Sequence, residues 1–465
     1  MSDRSTPRHD IAIIGAGPGG LAAAHRARQL GRSVVLFEAD AVGGTSVNRG
    51  CVAKRMLVTA SRQGDAIRCA QPFGWSVPGQ ARFDWPGLRE RVAEQVRAVS
   101  QARMQALQDE GVTVVRRRVK LAGDGRIVTL EADGEAPHTW SATDIVLATG
   151  SRPLVPELPG MELALLSHDL FTLPALPERL AMIGGGYIAV EFAGALQRLG
   201  VQVTVFEAGE RLLEGFDADV VSRLQETMRR AGIEIVCGAK VAGIVRSGAG
   251  LALRFDGALD GTNGRGGFDA VALVIGRSPN VEGIGLETAG VTLSESGRVA
   301  VDRLGRTDAA HVHAIGDVCE SIQLAPVAAE GGRAVIDAIA GRHVERTLPH
   351  HVPTAIYSTP ECGSVGLTES EAQAQGIAHR LRQVSLRPFD QVSAAEPDEV
   401  LIKLVVQADT ERLLGFHSIG SHAVESTQLM ALPIAAGLSA QDLRRTMPLH
   451  PTQAEAIVEL ARAAT

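Results

Sequence analysis

Two glycine-rich stretches are the residues here whose types and spacing could do chemistry. Gly15-Ala16-Gly17-Pro18-Gly19-Gly20 and Gly184-Gly185-Gly186-Tyr187-Ile188-Ala189 share one pattern: two glycines one residue apart, then a small residue three further on. The first glycine allows a tight turn and the second lets the backbone approach a pyrophosphate. The small third residue (Gly20 or Ala189) lets a helix pack closely on a strand. The pyrophosphate would then meet free N–H groups and the positive end of a helix dipole. Glu38 and Glu207, each 23 residues after the first glycine, are placed to accept hydrogen bonds from ribose hydroxyls.

The elements that must position these loops repeat with them. Ile11 to Ile14 reads as a strand, the segment after the loop as a helix to Leu30 stopped by Gly31, and Ser33 to Phe37 as a strand ending at Glu38. Leu180 to Ile183, a helix to Leu199 stopped by Gly200, and Val201 to Phe206 ending at Glu207 repeat that order. Gly15 and Gly184, Gly31 and Gly200, and Glu38 and Glu207 are each 169 residues apart. Three landmarks at one offset imply two copies of a βαβ dinucleotide-binding unit, and so two bound dinucleotides. Asp144 to Ala148 leads into Thr149-Gly150-Ser151-Arg152-Pro153, which reads as a linker turn. Val271 to Ile275 ends in the similar punctuation Gly276-Arg277-Ser278-Pro279-Asn280, and His311 to Ile315 runs into Gly316-Asp317. From about His350, strand-rich segments such as Val400 to Val406 precede helices over Ser426 to Ala436 and Thr452 to Ala464, a third, α+β region.

Length and composition limit the function classes. At roughly 150 residues per domain, 465 residues make about three domains with a large core. Apolar residues at 45% and charged residues at 21% exclude intrinsic disorder. Aromatics at 3% leave the core to Ala, Val, Leu and Ile and argue against a base-stacking platform. A net charge of −7 argues against binding nucleic acid or an anionic membrane. Five scattered cysteines form no secreted disulfide framework, and Met1 to Asp10 lacks the apolar core of a signal peptide. Apolar runs are interrupted before the roughly 18 residues of a membrane span. The expectation is a cytoplasmic protein without nucleic-acid, membrane or metal partners.

Gly43-Gly44-Thr45-Ser46-Val47-Asn48-Arg49-Gly50-Cys51-Val52-Ala53-Lys54 resembles the active-site segment of the pyridine nucleotide–disulfide oxidoreductases, which include glutathione reductase, dihydrolipoamide dehydrogenase and mercuric reductase. The two glycine loops, Ala148-Thr149-Gly150, Ile315-Gly316-Asp317, and His450-Pro451-Thr452 with Glu455 extend the resemblance over nearly the whole chain. It implies an α/β fold: two Rossmann-like dinucleotide-binding domains, for FAD and NAD, and a C-terminal α+β dimerisation domain. Residues 1–152 and 277–347 would form the FAD-binding domain, 153–276 the NAD(P)H-binding domain and 348–465 the dimerisation domain. Glu38 would hold the adenosine ribose and Asp317 the ribityl chain. Gly15, Gly17, Gly20, Gly44, Thr45, Lys54, Thr149, Gly150, Ala325, Gly184, Gly186, Ile188, Glu207 and Gly276 would complete the cofactor-binding set. By the same resemblance, Tyr187 is a lid over the flavin ring, and Lys54 with Glu191 an ion pair beside flavin N5. In a homodimer with a shared active site, His450 and Glu455 would be the acid–base pair of the partner subunit's site. Cys69, Cys237 and Cys362 have no motif around them and read as buried or incidental thiols, and Cys319 as structural.

The sequence departs from the family at one position above all. Members with disulfide chemistry carry a Cys-x4-Cys pair, and here the first member is Ser46, with Cys51 as the second. A hydroxyl ionises far above neutrality and forms no disulfide, so an internal dithiol couple is impossible. Ala53 stands where relatives have Pro, and Arg103 aligns roughly with a substrate-contacting Tyr of glutathione reductase. That arginine hints at an anionic acceptor and counts against glutathione disulfide. Relatives that use NADPH carry arginines where Ala208 and Glu214 stand. Glu207 would repel a 2′-phosphate while accepting from a free 2′-hydroxyl, and Arg211 is the only nearby cation, so NADH is expected over NADPH. Three readings remain open. One is an FAD-dependent oxidoreductase passing electrons from NADH to a small-molecule acceptor near Cys51 and His450. Another is an NADH-dependent disulfide reductase captured as a Cys-to-Ser variant at Ser46. The last is a non-catalytic flavin-binding dimer.

Overall fold

Ile11–Ile14 and Val34–Phe37 are apolar at every position, and strands so composed need cover on both faces. Every one of these side chains is buried. In the computed structural model, which describes residues 8–76, 79, 81–130, 136–259, 262–387 and 400–462, the two strands are neighbours in a parallel sheet. The chain divides into two compact units. The first comprises residues 1–53, 90–154 and 277–346. Its parallel strands run in the order Thr113–Val115, Val34–Phe37, Arg8–Ile14, Thr139–Leu147, with Val312–Ala314 also pairing on the last. Arg126–Thr129 and Val119–Leu121 extend the sheet antiparallel. Helices Pro18–Gln29 and Ala325–Ile339 cover one face, burying Leu21, Ala23, Ala27, Val335 and Ile336 against Ile11, Ile13 and Leu36.

The second unit comprises residues 54–89, 155–276 and 347–465. Here Glu234–Val236, Gln202–Phe206, Arg179–Ile183 and Ala270–Leu273 repeat the parallel order of the first unit, with Leu165–Leu166 at the far edge. An antiparallel meander of Val241–Ser247, Gly250–Leu259 and Thr262–Phe268 follows. The later residues make a five-stranded antiparallel sheet in the order Thr354–Ile356, Cys362–Gly366, Leu413–Ile419, Val400–Gln407, His379–Leu386. Helices Ala423–Ala435 and Glu455–Arg462 pack their apolar stripes on it. Lys403, fully buried, is hydrogen-bonded by Asp217 (3.0 Å), Asp219 (2.6 Å) and Glu369 (2.9 Å). Burial works against this ammonium, but the three carboxylates hold its pKa above that of an ordinary lysine. His417, also fully buried, lies 3.0 Å from the Leu367 carbonyl through Nε2 and 2.8 Å from the Ser364 hydroxyl through Nδ1. A carbonyl only accepts, so Nε2 carries the proton and Nδ1 accepts from Ser364.

The α/β class and both βαβ repeats agree with the sequence reading, and element ends shift by a few residues. Residues 149–153 are more than a linker turn: Ser151–Pro153 pairs antiparallel with Arg277–Pro279, joining two segments that the sequence marks only as punctuation. His311 lies in the left-handed region (φ 63°), so that strand begins at Val312. The last helix begins at Glu455 rather than Thr452, because the Thr452 hydroxyl donates to the Leu449 carbonyl and holds a turn there. Its expected end at Ala464 lies outside the described residues. Among the described residues no helix is long and apolar enough to cross a membrane.

A Cβ at Gly20 would sit 1.9 Å from the Gly15 carbonyl oxygen. Gly20→Ala should therefore lower stability by about 1–3 kcal/mol in denaturant unfolding, and an unchanged midpoint would mean that the helix moves aside freely. Burial keeps the His417 pKa below its usual value, so its contribution is complete above the unfolded value of about 6.5 and is lost as pH falls toward the folded one. Melting temperature should decline from pH 7 to 5, and His417→Gln should flatten that decline.

Candidate functional site

In the first unit the end of the second strand is tied back to the glycine loop. Glu38 accepts from the backbone N–H of Ala16 (2.7 Å) and of Asp40 (2.9 Å), and Gly15 N–H donates to the Phe37 carbonyl (2.8 Å). The loop is thereby set at the start of helix Pro18–Gln29, whose N-cap Gly17 has no side chain to occupy the free N–H groups of the first turn. Gly44 crosses in front: a Cβ there would lie 2.6 Å from Gly17 Cα, so only glycine permits this approach, and its positive φ (60°) suits glycine as well. Thr45 follows in the short helix Gly44–Asn48, which also carries half-buried Ser46, and exposed Cys51 opens helix Cys51–Arg68. Thr149 and Asn280 exchange side-chain-to-carbonyl hydrogen bonds of 2.8 Å beside Gly150. Asp317 accepts from the Ser151 hydroxyl (2.6 Å), itself held by Arg277 Nε (2.7 Å). Ala325 opens helix Ala325–Ile339. Half-buried Arg103 lies on helix Trp85–Asp109.

The second unit reproduces this geometry. Glu207 accepts from the N–H groups of Gly185 and Gly209 (2.6 Å to the latter), each 169 residues after its counterpart, and Gly184 N–H donates to Phe206 (2.8 Å). Gly186 caps helix Tyr187–Arg198 without a side chain, and the space in front of it is open. Ile188 sits in the first turn and Gly276 follows the last strand of the sheet. Ala208 and Glu214 are exposed. Arg211, the one cation expected nearby, directs Nη2 to the Phe216 carbonyl (3.1 Å).

The same unit buries an ion pair. Lys54 Nζ contacts the carboxylate of Glu191; Lys54 is 8% exposed and Glu191 1%. The other Glu191 oxygen accepts from the Tyr357 backbone N–H (2.8 Å), and Lys54 Nζ lies 5.0 Å from the centre of the Tyr187 ring. His450 Nδ1 is 2.9 Å from Glu455, with the imidazole largely exposed. A carboxylate can only accept, so Nδ1 donates in this contact and the ring is oriented by it. Cys69 and Cys237 are half-buried. Burial pushes the thiols of Cys319 and Cys362 up, the latter to about 12, which leaves them inert at neutral pH.

A family model described as "pyridine nucleotide-disulphide oxidoreductase" matches residues 9–332, and one described as its dimerisation domain matches residues 352–461. The chain belongs to the pyridine nucleotide–disulphide oxidoreductases. It is 36% identical to a glutathione reductase of Nostoc sp., over 97% of this chain and 99% of that one. A glutathione reductase of Burkholderia cepacia is 34% identical (97% and 98% covered), and a dihydrolipoyl dehydrogenase of Bacillus subtilis 30% (98% and 98%). This family membership makes the protein an NAD(P)H-dependent, FAD-dependent flavoprotein oxidoreductase with two Rossmann-type domains and a dimerisation domain, which supports a homodimer.

The residues present fit those cofactors. Both helix N-termini are uncapped by side chains, glycine alone fits where Gly44 meets Gly17, and each glutamate carboxylate keeps lone pairs beyond its two backbone partners. Sequence reasoning missed the residues that brace this oxidoreductase's site. Ser151 and Arg277 hold Asp317, Asn280 holds Thr149, and Tyr357 holds Glu191 through its backbone. The Gly276-Arg277 and Thr149-Gly150-Ser151 punctuations were a signal for the first three; a backbone N–H leaves none. Lys54→Met should cost about 3–5 kcal/mol by stranding a buried carboxylate. Thermal melts should show most of it recovered in Lys54→Met/Glu191→Gln; no recovery would mean that the pair is not the reason.

Proposed function

We propose that this protein takes a hydride from NADH onto bound FAD and delivers the electrons to a small-molecule acceptor other than glutathione disulfide, beside Cys51 and His450. The carrying observation is Ser46 itself, where the resemblance leads one to expect the first thiol of a Cys-x4-Cys pair, in a chain that keeps Lys54, Glu191 and Tyr187 in contact. When bound, FAD accepts the hydride and hands the electrons on. The chain's residues do the rest. Gly15, Gly17, Gly20, Gly44, Thr45, Thr149, Gly150 and Ala325 would hold FAD, with Glu38 on its ribose and Asp317 on its ribityl chain. Gly184, Gly186, Ile188 and Gly276 would hold the nicotinamide cofactor. Lys54, paired with Glu191, would polarise the flavin ring near N5, and Tyr187 would exclude water until the nicotinamide displaces it.

His450 Nε2, with Nδ1 fixed by Glu455, would hold or deliver the acceptor's proton in the partner subunit's site of a homodimer. Residues 1–152 and 277–347 would form the FAD domain, 153–276 the nicotinamide domain and 348–465 the dimer domain. NADH is favoured because Glu207 would repel a 2′-phosphate and Arg211 is engaged by Phe216. Arg103 supports an anionic acceptor, and the scattered cysteines a cytoplasmic setting. A second reading, a disulfide reductase whose thiol stands replaced at Ser46, is favoured by the likeness to relatives named glutathione reductase.

Anaerobic NADH should bleach the flavin absorption at once, with kcat/KM at least about tenfold above NADPH, a difference of about 1.4 kcal/mol. Quinones or dyes should be reduced by the protein as it stands. If Ser46→Cys instead creates disulfide turnover while no other acceptor reacts, the second reading replaces the first.

A further inference from the structure

The segment Tyr357–Glu361 closes a ring of contacts around the buried pair. At one end the Tyr357 N–H holds the Glu191 oxygen that does not meet Lys54 (2.8 Å). At the other, Arg62 donates to the Ser358 carbonyl (2.8 Å) and to the Glu361 carboxylate (2.6 Å). Arg62 lies on the helix that carries Lys54, eight residues further along, or about 12 Å of rise. Arg55, from the same helix, reaches Glu361 at 3.2 Å and lays its guanidinium 4.5 Å from the centre of the Tyr357 ring. Glu361 is only 8% exposed, so its charge takes two guanidinium partners and little water. A third tie, Arg198 Nε to Asp65 (2.7 Å), joins the Glu191 helix to the Lys54 helix at its far end.

We infer that Glu361 is a positioning residue for hydride transfer: through Arg62 and the Tyr357 N–H it fixes where the Lys54 ammonium and Glu191 carboxylate stand. The inference rests on the role proposed above for that pair. A carboxylate is required because a neutral amide oxygen, although it has lone pairs for both guanidinium groups, carries no charge to offset them and would leave both cations facing each other in a half-buried site. A loosened ring would let the Glu191 carboxylate rotate away from the N–H of Tyr357 and take the Lys54 ammonium with it. A displacement of about 1 Å at a reacting centre can cost on the order of 100-fold in rate.

The test uses the FAD-loaded full-length protein and NADH. In Glu361→Gln, anaerobic bleaching should slow at least about tenfold and the visible flavin band should shift, with KM for NADH within about twofold of the parent and Glu361→Asp recovering most of the rate. Should Glu361→Gln fail to fold, Arg62→Gln, which leaves Glu361 its Arg55 partner, reads the same quantities. Variants that melt earlier yet bleach at the parental rate with an unshifted spectrum would reduce Glu361 to a structural buttress and overturn the inference. A parent protein that NADH does not bleach would instead overturn the underlying role of Lys54 and Glu191.

Discussion

One carboxylate holding two backbone N–H groups is the constraint on which both glycine loops rest. A glycine loop has little reason of its own to stay in a single shape, since glycine loses more backbone entropy on ordering than any other residue. Glu38 and Glu207 supply the missing restraint, fastening the residue after the first glycine to the end of the neighbouring strand. Charge-assisted bonds of this kind are about twice as strong as neutral ones. The same carboxylates are the groups proposed to meet the ribose, so on that proposal one side chain would serve both the restraint on the loop and recognition of the ligand.

Buried charge elsewhere in the second unit follows a similar logic. Lys54 with Glu191, Glu361 with two arginines, and Lys403 with three carboxylates each take ions out of water, which is costly unless every partner is in place. An apolar substitute of equal volume would fill the space, but it would not dictate the angle at which one helix meets another.

Legibility in the sequence followed the range of the physics. The glycine loops, the acids after the second strands and the helix stops at Gly31 and Gly200 depend on local backbone geometry, so spacing alone exposes them. His450 and Glu455 are five residues apart, but only the resemblance to the family marks them out in the sequence. The bond from Arg277 to Ser151 spans 126 positions and that from Tyr357 to Glu191 spans 166, and the latter uses a peptide N–H that every residue but proline has. Arg211 looks like a free cation in the sequence because nothing local reveals that the chain turns back to offer it the Phe216 carbonyl.

The short pairing of Ser151–Pro153 with Arg277–Pro279 puts the exit and the return of residues 155–276 on adjacent strands. A module whose two ends already touch can be spliced into a host chain without stretching either. The stretch so enclosed is the later copy of the repeat. In the order of the chain, the later copy of the repeat is therefore an insertion between two paired strands of the first unit.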